Sequence, residues 1–374
     1  MKSNVIEYFM DLVRIDSESS CEKDMAVKLS ADLKDLGIET IIDNANQNFT
    51  SNSGNLYGFL PGKIDKPPIL FCAHMDTVTP GKGIKPIIKG NKIVSDGTTI
   101  LGADDKSGIA EIMYALKELK EEGQDIAPVE VLFTVSEETG LQGAKYCDYS
   151  LIKSKLGYAL DSHKIGSLTI GAPAQNNLKF TIHGKEAHAG VNPEDGVNAI
   201  KIAAEAIKDM PSGRIDQETT CNIGTIKGGN ATNIVPNEVV IKAEVRSHNH
   251  AKLKEICDQM INVMNVKVAL HKKNDFQASV DVVCEQAYKN FKLAENSPVV
   301  QIAKKAAKNL KLSDYVTIGG GGSDANIFNE KNISTAIAGS GMNEVHTVKE
   351  WILVDDLKQG VAWVKEIILE YSRN

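Results

Sequence analysis

The segment 69–73, "ILFCA", is an unbroken apolar run that leads straight into His74 and Asp76. Such a run reads as a strand buried on both faces, the kind found in parallel sheets. Parallel neighbours need crossover connections, usually helical, so this segment commits its surroundings to alternating strands and helices. Ligands of open α/β sheets bind beyond the carboxyl ends of the strands. Two residues with the strand's period of two point to the same side there. Taken alone, the pair reads as a satisfied core histidine beside a turn aspartate, and the rest of the chain must decide.

The flanking chain keeps the pattern. A helix is predicted at about 107–120, where Ile109, Ile112, Met113, Leu116 and Leu119 fall at helical spacing. "VEVLFTV" (129–135) and "KLGYALD" (155–161) read as further strands of a largely parallel sheet covered by helices. Near residue 174 the style changes. "LKFTI" alternates strictly, placing Leu178, Phe180 and Ile182 on one face, and "EVVIKAEVR" repeats this with Val239, Ile241, Ala243 and Val245. Helices are expected at about 196–209, with Val197, Ile200, Ala204 and Ile207 as the apolar stripe, and at about 250–263. With "TTCNIGTI" and "SVDVVCEQ" as the remaining strands, the order is β-α-β-β-α-β, that of a ferredoxin-like sandwich with one open sheet face. Helices at about 298–310 and 355–370 return to the first style. The expected architecture is therefore an α/β domain, 1–173 and 292–374, carrying a smaller inserted domain, 174–291. A chain of 374 residues suits two domains.

Composition removes several function classes. A net charge of −7 without a long basic run argues against a nucleic-acid partner. Apolar runs fall far short of the ~20 residues of a membrane helix. The N-terminal segment carries charges throughout and reads as an amphipathic helix with Val5, Ile6, Phe9, Met10 and Val13 on one face, not as a signal peptide. The six cysteines show no C-x-x-C pair, so reduced thiols and a cytoplasmic location are expected.

Acidic residues recur where strands end. The first strand ends at His74 and Asp76, the second at Glu137 and Glu138, the third at Asp161, and "GADDKSG" sets Asp104 and Asp105 before a helix. Each also suits a helix cap or a solvated turn. Gathered on one sheet edge, they would repel one another unless cations neutralised them. Imidazole with carboxylates is a ligand set for zinc, with manganese or cobalt as alternatives. Of two adjacent glutamates in extended chain, one can bind metal while the other faces a water and accepts its proton. The constellation reads as metal-assisted hydrolysis. H-E-x-x-H and G-x-S-x-G are absent, and "GGGGSDAN" (319–326) lacks the lysine of a phosphate loop. Its glycines suit either a close approach of substrate to the backbone or a plain turn, with Ser323 capping the next helix.

The segment "SDGTTILGADDKSGIAEIMYAL", followed in order by "SEETG", "ALDS", "HGKEAHAG", "NIVPNE" and "NEVHTVKE", resembles peptidase T-like aminopeptidases. These belong to the co-catalytic zinc exopeptidases and amidohydrolases, with aminoacylases, carboxypeptidase G and succinyl-diaminopimelate desuccinylase. The resemblance spans nearly the whole chain. It implies a zinc-exopeptidase-type catalytic domain with an inserted lid and dimerisation domain, and two zinc ions per chain. Asp104 would bridge the metals, His74 and Asp161 would complete one site, and Glu138 and His346 the other. Glu137 would be the general base and Asp76 would orient the His74 ring. The resemblance further implies a cis peptide after Asp104, a transition-state-stabilising His188, and substrate contacts from Asn233 and Arg246. The implied activity is removal of the N-terminal residue of tripeptides or other short peptides by a cytoplasmic homodimer. The rival readings are an N-acyl amino acid amidohydrolase and a non-catalytic metal- or peptide-binding protein. Two departures leave strict tripeptide specificity open: the arginine strand continues "VRSHNH" where peptidase T usually has an acidic residue, and the chain is somewhat shorter.

Overall fold

The Ile69–His74 strand lies inside an eight-stranded sheet in the computed structural model, which describes residues 4–373. The strand order is Glu39–Ile42, Leu56–Leu60, Val129–Thr134, Ile69–His74, Leu156–Ser162, Ser334–Gly339, Leu168–Thr169 and Val316–Thr317. Ile69–His74 pairs in parallel with Val129–Thr134 and Leu156–Ser162, and Ser334–Gly339 pairs in parallel with the latter. Every residue of Ile69–His74 and Val129–Thr134 is buried, as two covered sheet faces require. The flanks differ from a simple parallel sheet: Leu56–Leu60 runs antiparallel to Val129–Thr134, and Glu39–Ile42 antiparallel to Leu56–Leu60.

The helix predicted at 107–120 is Ala103–Glu121, and it buries Ile109, Ile112, Met113, Leu116 and Leu119. It packs against the Val5–Val13 and Val354–Arg373 helices. In the first of these Val5, Phe9 and Val13 are buried as expected, joined by Tyr8 and Leu12, while Ile6 and Met10 are only partly covered. Among the described residues no helix is long and apolar enough to cross a membrane.

The described chain divides into two compact units. The larger holds the chain up to Gly171, Lys292–Gly319 and the part from Ser323 onward; the smaller holds Ala172–Phe291 and Gly320–Gly322. In the smaller unit four long strands lie antiparallel in the order Thr219–Gly228, Glu238–Ser247, Ala174–His183 and Ser279–Tyr288. Leu178, Phe180, Ile182, Val239, Ile241 and Val245 are buried on the face covered by the Ala199–Asp209 and His250–Ala269 helices, whereas Lys179 and Lys242 are exposed. One helical stripe differs from expectation. Ala199–Asp209 buries Ala199, Ile202, Ala203 and Ala206, and leaves Ile200 at 42% exposure. Alanines carry little hydropathy signal, yet their small size lets a helix sit close on a sheet. Gly322 joins the smaller unit by a close approach of its own: a Cβ there would meet the Tyr288 ring carbon Cζ at 2.3 Å.

Candidate metal centre

At and just beyond the ends of two buried parallel strands, His74 and Glu138 come together with Asp104. His74 ends its strand fully walled in, at 3% exposure, with its backbone N–H donated to Asp105 Oδ2. Its Nε2 lies 2.9 Å from Asp104 Oδ1 and its Nδ1 lies 2.9 Å from the Asp76 carbonyl oxygen. Both ring nitrogens thus face acceptors, and only an imidazolium can donate to both. Burial works against that charge, but the bonds to Asp104 and Asp76 raise the His74 pKa well above the ordinary imidazole value.

Asp104 sits where the Ala103–Glu121 helix has not yet reached helical geometry: its φ and ψ are −82° and 104°. The Asp104–Asp105 peptide is cis. The backbone approaching it is held by Glu350, whose carboxylate accepts from the N–H groups of Leu101, Gly102 and Asp104 at 2.7, 2.7 and 2.9 Å. Burial raises the Asp104 pKa, but bonds from His346 and His74 overbalance it and hold the carboxylate below its usual range. His346 Nε2 lies 3.2 Å from Asp104 Oδ2 and 2.8 Å from Glu138 Oε1. Half exposed on a loop between two short strands, His346 is pushed up to about 10 by Asp104 and then Glu138.

The glutamate pair does not continue the strand. Ser136 turns the chain with φ of 52°, and Glu137 and Glu138 occupy the turn that follows. Two carboxylates shape this turn. Glu22 Oε1 accepts from both the N–H and the hydroxyl of Ser136, at 2.9 and 3.0 Å. Asp76 accepts the Glu137 N–H at 3.0 Å, the Glu138 N–H at 3.2 Å and the Ser19 hydroxyl at 2.6 Å. Asp76 therefore has a role beyond the expected one: its carbonyl holds the His74 ring, while its carboxylate, 3.5 Å from Nδ1, chiefly binds the glutamate backbone.

The remaining acids respond to crowding. Glu137 is buried and its pKa is raised well above the usual range, by burial first and by Asp161 and other carboxylates besides. Burial and the Asp104 charge lift Asp161 to about 8. Burial lifts Asp324, which accepts from the Thr134 hydroxyl at 2.6 Å, to about 6, and Glu350 to about 7. The buried atoms Asp105 Oδ1 and Asp324 Oδ1 have no hydrogen-bond partner. Glu22, Asp324 and Glu350 were invisible as site residues, because a buried carboxylate looks in sequence like a solvated turn acid.

One ligand atom from each of His74, Asp104 and Glu138 falls within 4.8 Å of the others. That group, the His346 ring on two of the same carboxylates, and the crowding that raises the Asp161 pKa fit a divalent metal. The other predicted residues lie in the smaller unit. His188 and Asn233 are neighbours there: His188 bridges to Ile234, and the Ala189 N–H donates to the Asn233 carbonyl oxygen at 2.9 Å. Both are exposed. Arg246 is clasped by Glu244 through Nε at 2.9 Å and Nη2 at 3.2 Å.

Residues 174–271 match the M20 peptidase dimerisation domain, and residues 86–177 match the M42 glutamyl aminopeptidase family. The chain is 41% identical to the YqjE protein of Bacillus subtilis over 100% of its own length and 99% of that protein's. It superposes on the aminopeptidase PepT of Bacillus cereus with a TM-score of 0.85 and 43% identity, covering 98% of this chain and 97% of that one. A tripeptidase of Staphylococcus aureus gives a TM-score of 0.91 at 38% identity, covering 99% of this chain and 98% of that one. The fold is that of a metallopeptidase catalytic domain with an inserted dimerisation domain. The chain belongs to the peptidase T-like metallopeptidases of the M20 family.

Metal binding should release protons even where free imidazole is neutral. The metal-free His346 keeps its proton up to about pH 10, and Asp161 holds one up to about pH 8. A ligand must give up that proton, so affinity rises with pH across this range. At pH 8, zinc titration in buffers of different ionisation enthalpy should show net proton release, smaller in His346→Ala. A zinc enthalpy independent of the buffer would contradict this protonation pattern.

Proposed function

We propose that the chain is a metal-dependent aminopeptidase that removes the N-terminal residue of tripeptides. The observation that carries this reading is the convergence of His74, Asp104, Glu138 and His346, with Glu137 beside them, in a chain so similar to an aminopeptidase and a tripeptidase. Two zinc ions per chain are proposed, with Asp104 shared, His74 and Asp161 holding one and Glu138 and His346 the other. Bound there, the metal supplies Lewis acidity and a water of lowered pKa.

The protein's own groups do the rest. Glu137 takes a proton from the attacking water and returns it to the departing amine. Its backbone N–H on Asp76 fixes where that carboxylate begins, and Glu22 fixes the residue before it. His188 is proposed to stabilise the developing oxyanion, and Arg246 and Asn233 to bind the peptide, the arginine pairing with its carboxylate. The chain is further proposed to act as a cytoplasmic homodimer assembled through the smaller unit.

A tripeptide should be cleaved and its N-acetylated form should not, with chelator abolishing turnover. Preference for the acetylated substrate would instead make the protein an N-acyl amino acid hydrolase. Failure on both, with metal bound, would leave a binding protein. The dimer is tested by light scattering in solution. His188→Ala should lower turnover strongly at unchanged metal content. Mixing it with Glu137→Gln chains should restore one working site only if the histidine serves the partner subunit.

A further inference from the structure

The smaller unit holds a pair of cysteines that the proposed peptidase chemistry does not use. Cys257 is buried on the inner face of the His250–Ala269 helix, and Cys284 is exposed on the Ser279–Tyr288 edge strand. Strand register settles where Cys284 points. It stands directly opposite Leu178, which is buried under the helices, and directly opposed residues share a face. The Cys284 side chain therefore points toward the helical layer, where Cys257 lies. Asn176, two residues before Leu178 on that face, joins them: its Nδ2 donates to Cys257 Sγ at 3.5 Å and to Cys284 Sγ at 3.9 Å. The other end of the same amide, Oδ1, is buried without a partner.

Two thiols on converging side chains, sharing one amide donor, meet the directional requirement of a disulfide, whose partners must face each other. We propose that Cys257 and Cys284 form a reversible oxidation site, in which a low-molecular-weight disulfide reacts at Cys284 and Cys257 resolves the product. The exposed Cys284 sulfur, as thiolate, attacks one sulfur of the small disulfide, and the other half leaves as a thiolate. The Cys257 sulfur then loses its proton, attacks Cys284 Sγ and expels the remaining half. Two protein thiols are oxidised to one disulfide and the small disulfide is reduced to two thiols. Burial pushes the Cys257 thiol up to about 12, which keeps it inert toward reagents in solvent. Its nearness to Cys284 makes the second step intramolecular. The donated Asn176 amide favours the Cys257 thiolate.

The bond would tie the helix to the edge strand across the open rim of the sandwich. The test treats the full protein with oxidised glutathione, alkylates the remaining thiols and maps the peptides without reduction. The wild type should yield a Cys257–Cys284 linked peptide with no glutathione retained at Cys284, reversed by mild thiol reductant. Cys257→Ser should stop at glutathionylated Cys284, and Cys284→Ser should leave Cys257 unmodified. The exposed Cys21 provides a control that reacts without closing a bond. A stable glutathione adduct at Cys284 in the wild type would overturn the proposal. So would an unmodified Cys284 under conditions that modify Cys21.

Discussion

Glu137→Gln is expected to bind metal normally and to lose about 10²–10⁴-fold in kcat, the usual contribution of a general base. The substitution separates proton transfer from architecture. The Glu137 N–H bonded to Asp76 belongs to the backbone and survives the change. Burial already holds the side chain toward its neutral form, so a neutral amide of nearly the same shape suits the same space. Glu138→Gln should do the reverse. Its Oε1 sits 2.8 Å from His346 Nε2 within the ligand cluster, so metal content should fall together with turnover. Metal analysis and steady-state kinetics on both variants check the assignment. Turnover above a tenth of wild type in Glu137→Gln would remove the base from that residue.

What could be read beforehand followed what each signal measures. Apolar periodicity reports buried area, so Ile69–His74, Val129–Thr134 and the alternating strands of the smaller unit were all legible. Of the expected stripe Val197 is buried and Ile207 packs on the core, but Ile200 and Ala204 are exposed, because three of the four residues that Ala199–Asp209 buries are alanines, which bury little area. The antiparallel flank is set by pairing between distant segments, which local patterning does not encode.

Polar groups follow a different logic. Acids at the ends of neighbouring strands pointed to one sheet edge because topology gathers strand ends. Glu22, Asp324 and Glu350 are held by backbone N–H groups or a hydroxyl from elsewhere in the chain. Sequence does not reveal such partners. His346 lies on a loop with no periodicity, and only the family resemblance points to it. In the structure its Nε2 lies 3.2 Å from Asp104 Oδ2 and 2.8 Å from Glu138 Oε1.

Asp104→Ala should be the most damaging single change at the centre. The two oxygens of this carboxylate face different imidazoles, Oδ1 toward His74 at 2.9 Å and Oδ2 toward His346 at 3.2 Å. Among the described residues no other side chain is hydrogen-bonded to both rings. Loss of a partner that merely supports a metal ligand costs about 10–100-fold in affinity. If Asp104 is shared by two sites as proposed, its loss should exceed that at both, so metal content should fall toward zero and turnover with it. A second signature separates this outcome from unfolding. Bonds to Asp104 are the largest upward influence on both the His74 and the His346 pKa, so their removal lowers both. NMR titration of the imidazole resonances in the metal-free variant should then show both values lowered, while the circular dichroism of the folded chain persists. Retention of two tightly held metal equivalents in Asp104→Ala would mean that this carboxylate bridges nothing.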